Sequence, residues 1–262
     1  MLKAMFGAAG LLFCASCATA PSVAPGVRAD IAPTGTLRAG INAGNPLVSA
    51  RDPARGGLRG VAVDLVREIG RRLGIPVDLV GFDTAAKIAD ALRAGTLDVG
   101  TLAYDSGRED ALSFTRGYLR VEATYLVPPG SPIRSVADVD RENVRVGVSA
   151  NSAYELYLRR TFRHARLVGG PGIPGSAQLL YSGKVDVMAG QRHQLVAAAQ
   201  KLPGSRVLDG HFLVIEQTLA VPKGRDTAIG YLREFIEEAK ASGFVAQSLE
   251  KSGNSNLPVS DR

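Results

Sequence analysis

The chain has only two cysteines, Cys14 and Cys17, and it has no tryptophan. Because both cysteines lie near the N-terminus, the body of the protein can form no internal disulfide and can use no thiol chemistry. Beyond the N-terminal segment, no apolar run reaches the roughly 18 residues of a membrane-spanning helix, so we expect a soluble body. The formal net charge is +6, but no run of like charges occurs. We therefore expect no nucleic-acid partner.

The N-terminal segment has the layout of a secretory signal. Lys3 precedes an apolar run that ends near Ala15, and small residues follow it. Such a run is too short to span a membrane comfortably and is typical of a segment that directs export. A buried N-terminal helix is the remaining alternative. We expect residues 1–20 to form a signal or lipoprotein segment and residues 21–35 to form a linker.

Two interpretations of the cleavage site stay open. The small-x-small pattern at residues 18–20 fits a signal peptidase site, although Pro21 disfavours cleavage there. Residues 14–17 resemble a bacterial lipoprotein box, in which Cys17 is the lipidated residue. Both interpretations predict a periplasmic protein. They differ in whether it is free or attached to a membrane by a lipid anchor.

A pair of short motifs occurs twice along the chain. Residues 37–41 (LRAGI) are echoed by residues 144–148 (VRVGV), and residues 94–99 (AGTLDV) are echoed by residues 182–187 (SGKVDV). In each half, helices alternate with apolar strands, which predicts parallel sheets covered by helices. The repeat therefore predicts two Rossmann-like α/β lobes with a ligand cleft between them.

Two extended apolar passages predict how the lobes are joined. Residues 124–127 and residues 212–221 fit crossing strands that form a two-stranded hinge. With this hinge, lobe 1 comprises residues 36–125 and 217–262, and lobe 2 comprises residues 126–216.

Seven segments in this order resemble the family 3 extracellular solute-binding proteins, the amino-acid-type receptors of bacterial ABC importers. The resemblance implies the type II periplasmic-binding-protein fold, in which the lobes close over a small solute because the solute contacts both of them. It also implies a monomer that meets an importer permease in the membrane and needs no cofactor. The segments that carry the resemblance are residues 35–41, 60–65, 94–99, 108–118, 130–139, 146–148 and 182–187.

The resemblance further implies ligand contacts on lobe 1. Arg108 matches the family arginine that grips a ligand carboxylate, and a guanidinium fork suits that bidentate contact. Thr101 lies where the family often places a hydroxyl beside the carboxylate, and Tyr104 falls in the same loop. Asp105 either pairs with Arg108 across a turn or contacts the ligand. Asn45 stands in place of an aromatic-rich turn and is either a polar contact or a turn former.

On lobe 2, Asn151 and Ser152 begin a predicted helix. Backbone N–H groups at a helix start favour an anion, and the resemblance implies that they hold the same carboxylate from the opposite side. Ser152 is also explained as a simple N-cap. Gln191 departs from the family pattern, which usually has an aspartate there to receive an α-ammonium group. Burying a cation without a charged partner is costly, so an organic acid or a ligand with an amide or hydroxyl fits better, unless Glu216 or another acid substitutes.

We therefore expect a periplasmic solute-binding component of an ABC importer and not an enzyme. One alternative is a periplasmic enzyme of the cyclohexadienyl dehydratase type, which resembles this family and requires a general acid, with Glu216 and Asp105 as candidates. Another is a sensory or accessory protein that presents its ligand to a membrane receptor. The three histidines lack metal-ligand spacing, and the glycine-rich stretch 169–175 is predicted as a surface turn.

Overall fold

The computed structural model describes residues 26–51 and 56–261. The predicted signal or lipoprotein segment, with Cys17, lies outside the described residues. The strands are β1 Leu37–Asn42, β2 Ala50–Arg51, β3 Leu58–Arg59, β4 Val77–Phe82, β5 Val99–Ala103, β6 Leu112–Phe114, β7 Leu119–Val127, β8 Arg145–Ser149, β9 Arg166–Gly170, β10 Val187–Gln191, β11 Arg206–Val207 and β12 Leu213–Pro222. The helices are α1 Val27–Ile31, α2 Val61–Leu73, α3 Ala85–Arg93, α4 Ala153–Thr161, α5 Gly172–Tyr181, α6 Arg192–Ala199, α7 Asp226–Ala241 and α8 Phe244–Lys251.

A continuous sheet runs through both lobes in the order β4-β1-β5-β12-β7-β10-β8-β9. Strands β4, β1 and β5 are parallel in lobe 1, and strands β10, β8 and β9 are parallel in lobe 2. Between them, β12 and β7 pair antiparallel and cross from one lobe to the other. This is the predicted α/β fold of two Rossmann-like lobes on a two-stranded hinge, and the prediction is confirmed. The predicted lobe boundaries fall inside β7 and β12 and stay a prediction.

Helix α2 shows how sequence spacing builds lobe 1. Its fully buried side chains include Leu65, Ile69 and Leu73, which recur every four residues and so share one face of the helix. Gly74 ends the helix in the left-handed region, at φ 62°, where glycine carries no steric penalty. The same apolar core includes side chains from α7 and α8, because the chain returns to lobe 1 after β12. Within the described residues, no helix has the length and apolar character needed to cross a membrane.

The linker prediction is wrong for residues 27–31, which form α1. This helix packs against α7, and its Ile31 is almost completely buried. The Asp30 carboxylate accepts a hydrogen bond of 2.8 Å from the backbone N–H of Ala228 near the start of α7. A five-residue helix is too short to show periodicity and is stabilised by these tertiary contacts.

The surface-turn prediction for residues 169–175 is also wrong. Strand β9 extends to Gly170, and α5 begins at Gly172. The glycines allow these elements to pack closely. A Cβ atom added to Gly170 would lie 2.5 Å from the Ser176 nitrogen, and one added to Gly175 would lie 2.4 Å from the Pro171 ring. Side chains at these positions cannot be accommodated without a backbone shift.

Candidate ligand site between the lobes

A cavity of about 50 Å³ lies between the lobes. Strands β1, β4 and β5 of lobe 1 and strands β8, β9 and β10 of lobe 2 each end in, or lead into, residues that line it. The carboxyl ends of parallel strands are the usual place for ligands in α/β folds. The lining residues are Asn42, Gly44, Asn45, Asp83, Thr84, Ala85, Ala103, Ser149, Ala150, Ser152, Ala153, Tyr154, Ile173, Gln191, Gln194, Ile215 and Gln217.

Four helices begin at this cavity, namely α3 in lobe 1 and α4, α5 and α6 in lobe 2. Thr84 caps α3 by accepting a hydrogen bond of 3.4 Å from the Lys87 N–H. Ser152 caps α4 in the same way, accepting one of 3.2 Å from the Glu155 N–H, as the sequence predicts. Gln191 precedes α6. Because helix N-termini carry partial positive charge, their convergence makes the cavity favourable for an anion.

Three polar contacts join the lobes beside the cavity, and two of them involve an amide or a backbone carbonyl. The Asn45 amide Nδ2 donates to Gln191 Oε1 at 3.4 Å. The Arg108 guanidinium donates to the Asn151 carbonyl at 2.7 Å. These contacts link the turn after β1 and the turn after β5 to the opposite lobe, so the structure shows a closed clamp.

The third contact corrects one prediction. The guanidinium of Arg160, on α4, holds the Asp105 carboxylate with two hydrogen bonds of 3.1 and 2.7 Å. Asp105 therefore pairs across the lobes with Arg160 and not with Arg108 across a turn. The Asp105 side chain is 3% exposed, so its carboxylate is shielded from water.

Arg108 is buried and lies beside the cavity without lining it. Its guanidinium donates to the Ala103 carbonyl at 3.4 Å as well as to Asn151. Burial lowers the pKa of the Arg108 guanidinium, and the nearby charge of Asp105 opposes this shift. Asn151 adopts a left-handed conformation with φ 55°, which suits asparagine and leads into the Ser152 cap of α4.

Thr101 and Tyr104 do not line the cavity either. The Thr101 hydroxyl donates to the Gly40 carbonyl and accepts from the Asn42 N–H, each at 3.2 Å, so it ties β5 to β1. Tyr104 is 41% exposed, and its hydroxyl donates to the Glu109 carboxylate at 3.2 Å. Of the predicted ligand residues, the structure brings Asn45, Ser152 and Gln191 together at the cavity.

Sequence reasoning missed seven polar side chains of the lining, namely Asn42, Asp83, Thr84, Ser149, Tyr154, Gln194 and Gln217. Asn42 ends β1, and Thr84 is the N-cap of α3. Gln194 lies in the first turn of α6, where its Oε1 accepts from the Gln191 N–H at 3.3 Å. For Asn42, Thr84 and Gln194, the position at the end of a strand or the start of a helix was an available signal.

The lining carries little formal charge. None of its side chains is a lysine or arginine, and its only acid is Asp83. The Asp83 side chain is 76% exposed and pairs with Lys87 at 3.5 Å. Glu216 is not part of the lining and pairs instead with Arg120 at 3.3 Å. The cavity therefore offers amides, hydroxyls and helix starts.

Two α/β lobes on a two-stranded hinge, with a cavity between them lined by residues of both lobes, define a clamp of the type II periplasmic-binding class. The chain belongs to the bacterial extracellular solute-binding proteins, family 3, whose family model matches residues 37–255. This confirms the family that the sequence segments indicated.

Solved structures share the fold. A solute receptor for L-cysteine from Neisseria gonorrhoeae is 22% identical with a TM-score of 0.74, and the match covers 86% of this chain and 92% of that one. A mutant of ArgBP from T. maritima is 21% identical with a TM-score of 0.72, covering 87% and 99%. An ancestral amino-acid-binding protein, a precursor of cyclohexadienyl dehydratase, is 22% identical with a TM-score of 0.70, covering 85% and 96%.

A curated relative is a sensor protein. The virulence sensor protein BvgS of Bordetella pertussis is 27% identical over 133 residues. The match covers 49% of this chain but 10% of that protein. The chain thus spans about a tenth of the length of the curated relatives that it matches.

Proposed function

We propose that this protein captures a small carboxylate-bearing solute in the interlobe cavity by hinge closure and presents it to an ABC importer. The observation that carries the proposal is the convergence of helix N-termini from both lobes on one cavity. A solute that meets helix starts on both lobes binds the closed form more tightly than the open form, and this difference drives closure. The family and the N-terminal signal pattern support a periplasmic location and action as a monomer.

Within this proposal, the ligand residues fall into two groups. Asn45, Ser152 and Gln191 line the cavity and contact the solute directly. Arg108 acts through Asn151, whose carbonyl it holds, so it positions the start of α4 and adds a buried positive charge near the carboxylate. Thr101 positions the end of β1, and Tyr104 points away from the solute.

A sensory role is the second candidate, and the match to BvgS favours it. It uses the same capture step and differs only in the membrane partner. Deleting the gene distinguishes the two roles, because loss of uptake of the solute supports import, whereas unchanged uptake with a lost transcriptional response supports sensing. A dehydratase has less support, because the proposed acids Glu216 and Asp105 are ion-paired and lie outside the cavity lining.

Thermal denaturation of the purified chain with a panel of small organic acids, amino acids and amines tests the capture step. A ligand at a hundred times its Kd stabilises the native state by about 2.7 kcal/mol, which raises the Tm by about 5 to 10 °C for a protein of this size. Small carboxylates are expected to give such shifts and simple amines are not. A panel in which only amines raise the Tm contradicts the proposal.

Arg108→Ala separates the site from general stability. We expect this variant to lose most of the ligand-induced shift, because α4 is no longer held in place. Arg116→Ala removes an exposed arginine of lobe 1 and is the matched control, expected to keep the full shift.

A further inference from the structure

The cavity wall contains buried polar atoms that have no partner in the protein. The amide atoms among them are Oδ1 of Asn42, Oδ1 of Asn45 and Nε2 of Gln217. The Asn45 and Gln217 residues are each only 3% exposed. A buried amide atom without a hydrogen bond costs about 1–3 kcal/mol, so three of them in one small cavity indicate groups reserved for a ligand.

The neighbouring amides are in contrast held by the protein itself. Gln191 Oε1 accepts from Asn45 Nδ2, and Gln194 Oε1 accepts from the Gln191 backbone N–H. These bonds fix the orientation of Asn45 and Gln191 across the closed interface. The unpartnered atoms therefore belong to lining residues of a preorganised frame in which the two lobes are already linked.

The unpartnered set requires a ligand that both donates and accepts hydrogen bonds. A carbonyl oxygen of Asn42 or Asn45 needs a donor, and the Gln217 amide nitrogen needs an acceptor. Rotating an amide about its last bond exchanges the two roles, but it never creates a charge. The requirement is thus for uncharged donors and acceptors, whichever way each amide is turned.

Charge excludes a buried ammonium group from this wall. Asp83, the one acid of the lining, is 76% exposed and already pairs with Lys87. An ammonium that reached the amides therefore keeps its full desolvation cost without a buried counter-charge. A carboxylate is different, because the starts of α3, α4, α5 and α6 point N–H groups and positive dipole ends at the cavity.

We infer that the solute is a short carboxylic acid whose neighbouring group is an uncharged hydroxyl or amide, and that α-amino acids bind poorly. The inference rests on the proposed function, since it names the substrate class of the same cavity. The carboxylate lies at the helix starts, and the uncharged group satisfies the unpartnered amides.

Matched pairs of solutes test the inference by calorimetric titration of the full chain. We propose glycolate with glycine, L-lactate with L-alanine, and L-malate with L-aspartate, because each pair differs only in a hydroxyl or an ammonium. The hydroxy member of at least one pair is expected to bind tenfold or more tightly than its amino partner. The inference is overturned if, in every pair that binds the wild type, the amino member binds at least as tightly as the hydroxy member. That outcome leaves the proposed function standing.

Gln191→Glu then places a carboxylate in the wall while keeping the shape of the side chain. In this variant, the ratio of hydroxy-acid affinity to amino-acid affinity is expected to fall by tenfold or more. The reason is that the new carboxylate compensates an ammonium and repels a second anion. Gln200→Glu alters an exposed glutamine at the end of the same helix and should leave the preference unchanged. An unchanged preference in Gln191→Glu contradicts the inference, and Asn45→Asp repeats the test if Gln191→Glu does not fold. If none of the solutes binds either protein, both the inference and the proposed function fail.

Discussion

The two lobes carry the same ion pair at the same place, and its surroundings differ. In lobe 1, the Arg38 side chain donates to the two oxygens of Asp98 at 2.9 and 2.7 Å, and its backbone N–H donates to the same carboxylate at 3.0 Å. A further bond of 3.0 Å runs from the guanidinium to the Gly95 carbonyl. The carboxylate thus ties the start of β1 to the entrance of β5.

Lobe 2 repeats this geometry bond for bond. The Arg145 side chain donates to Asp186 at 3.0 and 2.8 Å, and its backbone N–H donates at 2.8 Å. The guanidinium also reaches the Gly183 carbonyl at 3.2 Å. The motifs that recur in the sequence are therefore a structural unit that anchors a parallel strand, and their aspartates do not take part in the ligand site.

The difference between the copies is burial. The Asp98 side chain is 0% exposed, whereas that of Asp186 is 39% exposed. Arg225, directly before α7, approaches Asp98 to 3.9 Å and covers the lobe 1 pair. Lobe 2 receives no returning helix of this kind in the described residues. Burial strengthens the attraction within a pair and also raises the cost of breaking it, so the same motif carries different energetic weight in the two lobes.

The largest expected effect follows from removing the buried carboxylate. Asp98→Ala leaves the Arg38 guanidinium and backbone N–H without their acceptor, and we expect it to lower the free energy of unfolding by about 3 kcal/mol. Urea denaturation followed by circular dichroism measures this change. Asp186→Ala is the matched variant in lobe 2, and equal losses in the two variants contradict the proposed role of burial.

Arg225→Ala tests why the lobe 1 pair is buried. Arg225 also donates to the Asp30 carbonyl, so its removal opens the packing of α1 and α7 over Asp98. We expect a loss of about 1 kcal/mol, the size of a partly exposed ion-pair contact. In the Arg225→Ala background, Asp98→Ala should cost less than it does alone, which a double-mutant cycle measures. Additive losses show that Arg225 does not couple to Asp98.

The fold was largely predictable because its signals are local. The repeated strand and glycine–aspartate motifs lie at β1, β5, β8 and β10, and the spacing of Leu65 and Ile69 indicates α2. Helix α1 was not predictable, since its stability comes from contacts with α7, which is nearly 200 residues away in the chain. The crossing strand β7 also begins before the predicted residue 124, because pairing with β12 extends it.

The candidate site was predictable where it depends on chain position. Asn45 and Ser152 follow a strand and Gln191 ends one, and parallel strands bring such residues to one edge. Gln217 was not predictable in this way, because it lies within β12 and only the antiparallel pairing decides which face it presents. Arg108 is a long side chain whose partner depends on packing, and sequence position alone did not indicate the Asn151 carbonyl.

A smaller effect is expected from Asp186→Ala. The carboxylate and the guanidinium are both substantially exposed, so water replaces much of the lost interaction. We expect the loss in unfolding free energy to be roughly a quarter of that caused by Asp98→Ala. Raising the salt concentration to about 0.5 M should reduce the Asp186 effect and leave the Asp98 effect nearly unchanged, because exposed charges are screened more strongly. Equal salt sensitivity contradicts the comparison.

The smallest expected effect is the pH dependence of the lobe 2 pair. The hydrogen bonds from Arg145 lower the pKa of Asp186 below its ordinary value, although partial burial opposes the shift. A carboxyl group with a lowered pKa in the native state stabilises it above the unfolded-state pKa, near 4, and this contribution disappears as the pH falls through the native-state value. The difference in unfolding free energy between the wild type and Asp186→Asn should therefore be constant from about pH 7 to pH 5 and shrink below about pH 4. A difference that grows on acidification shows that the Arg145 pair does not stabilise lobe 2.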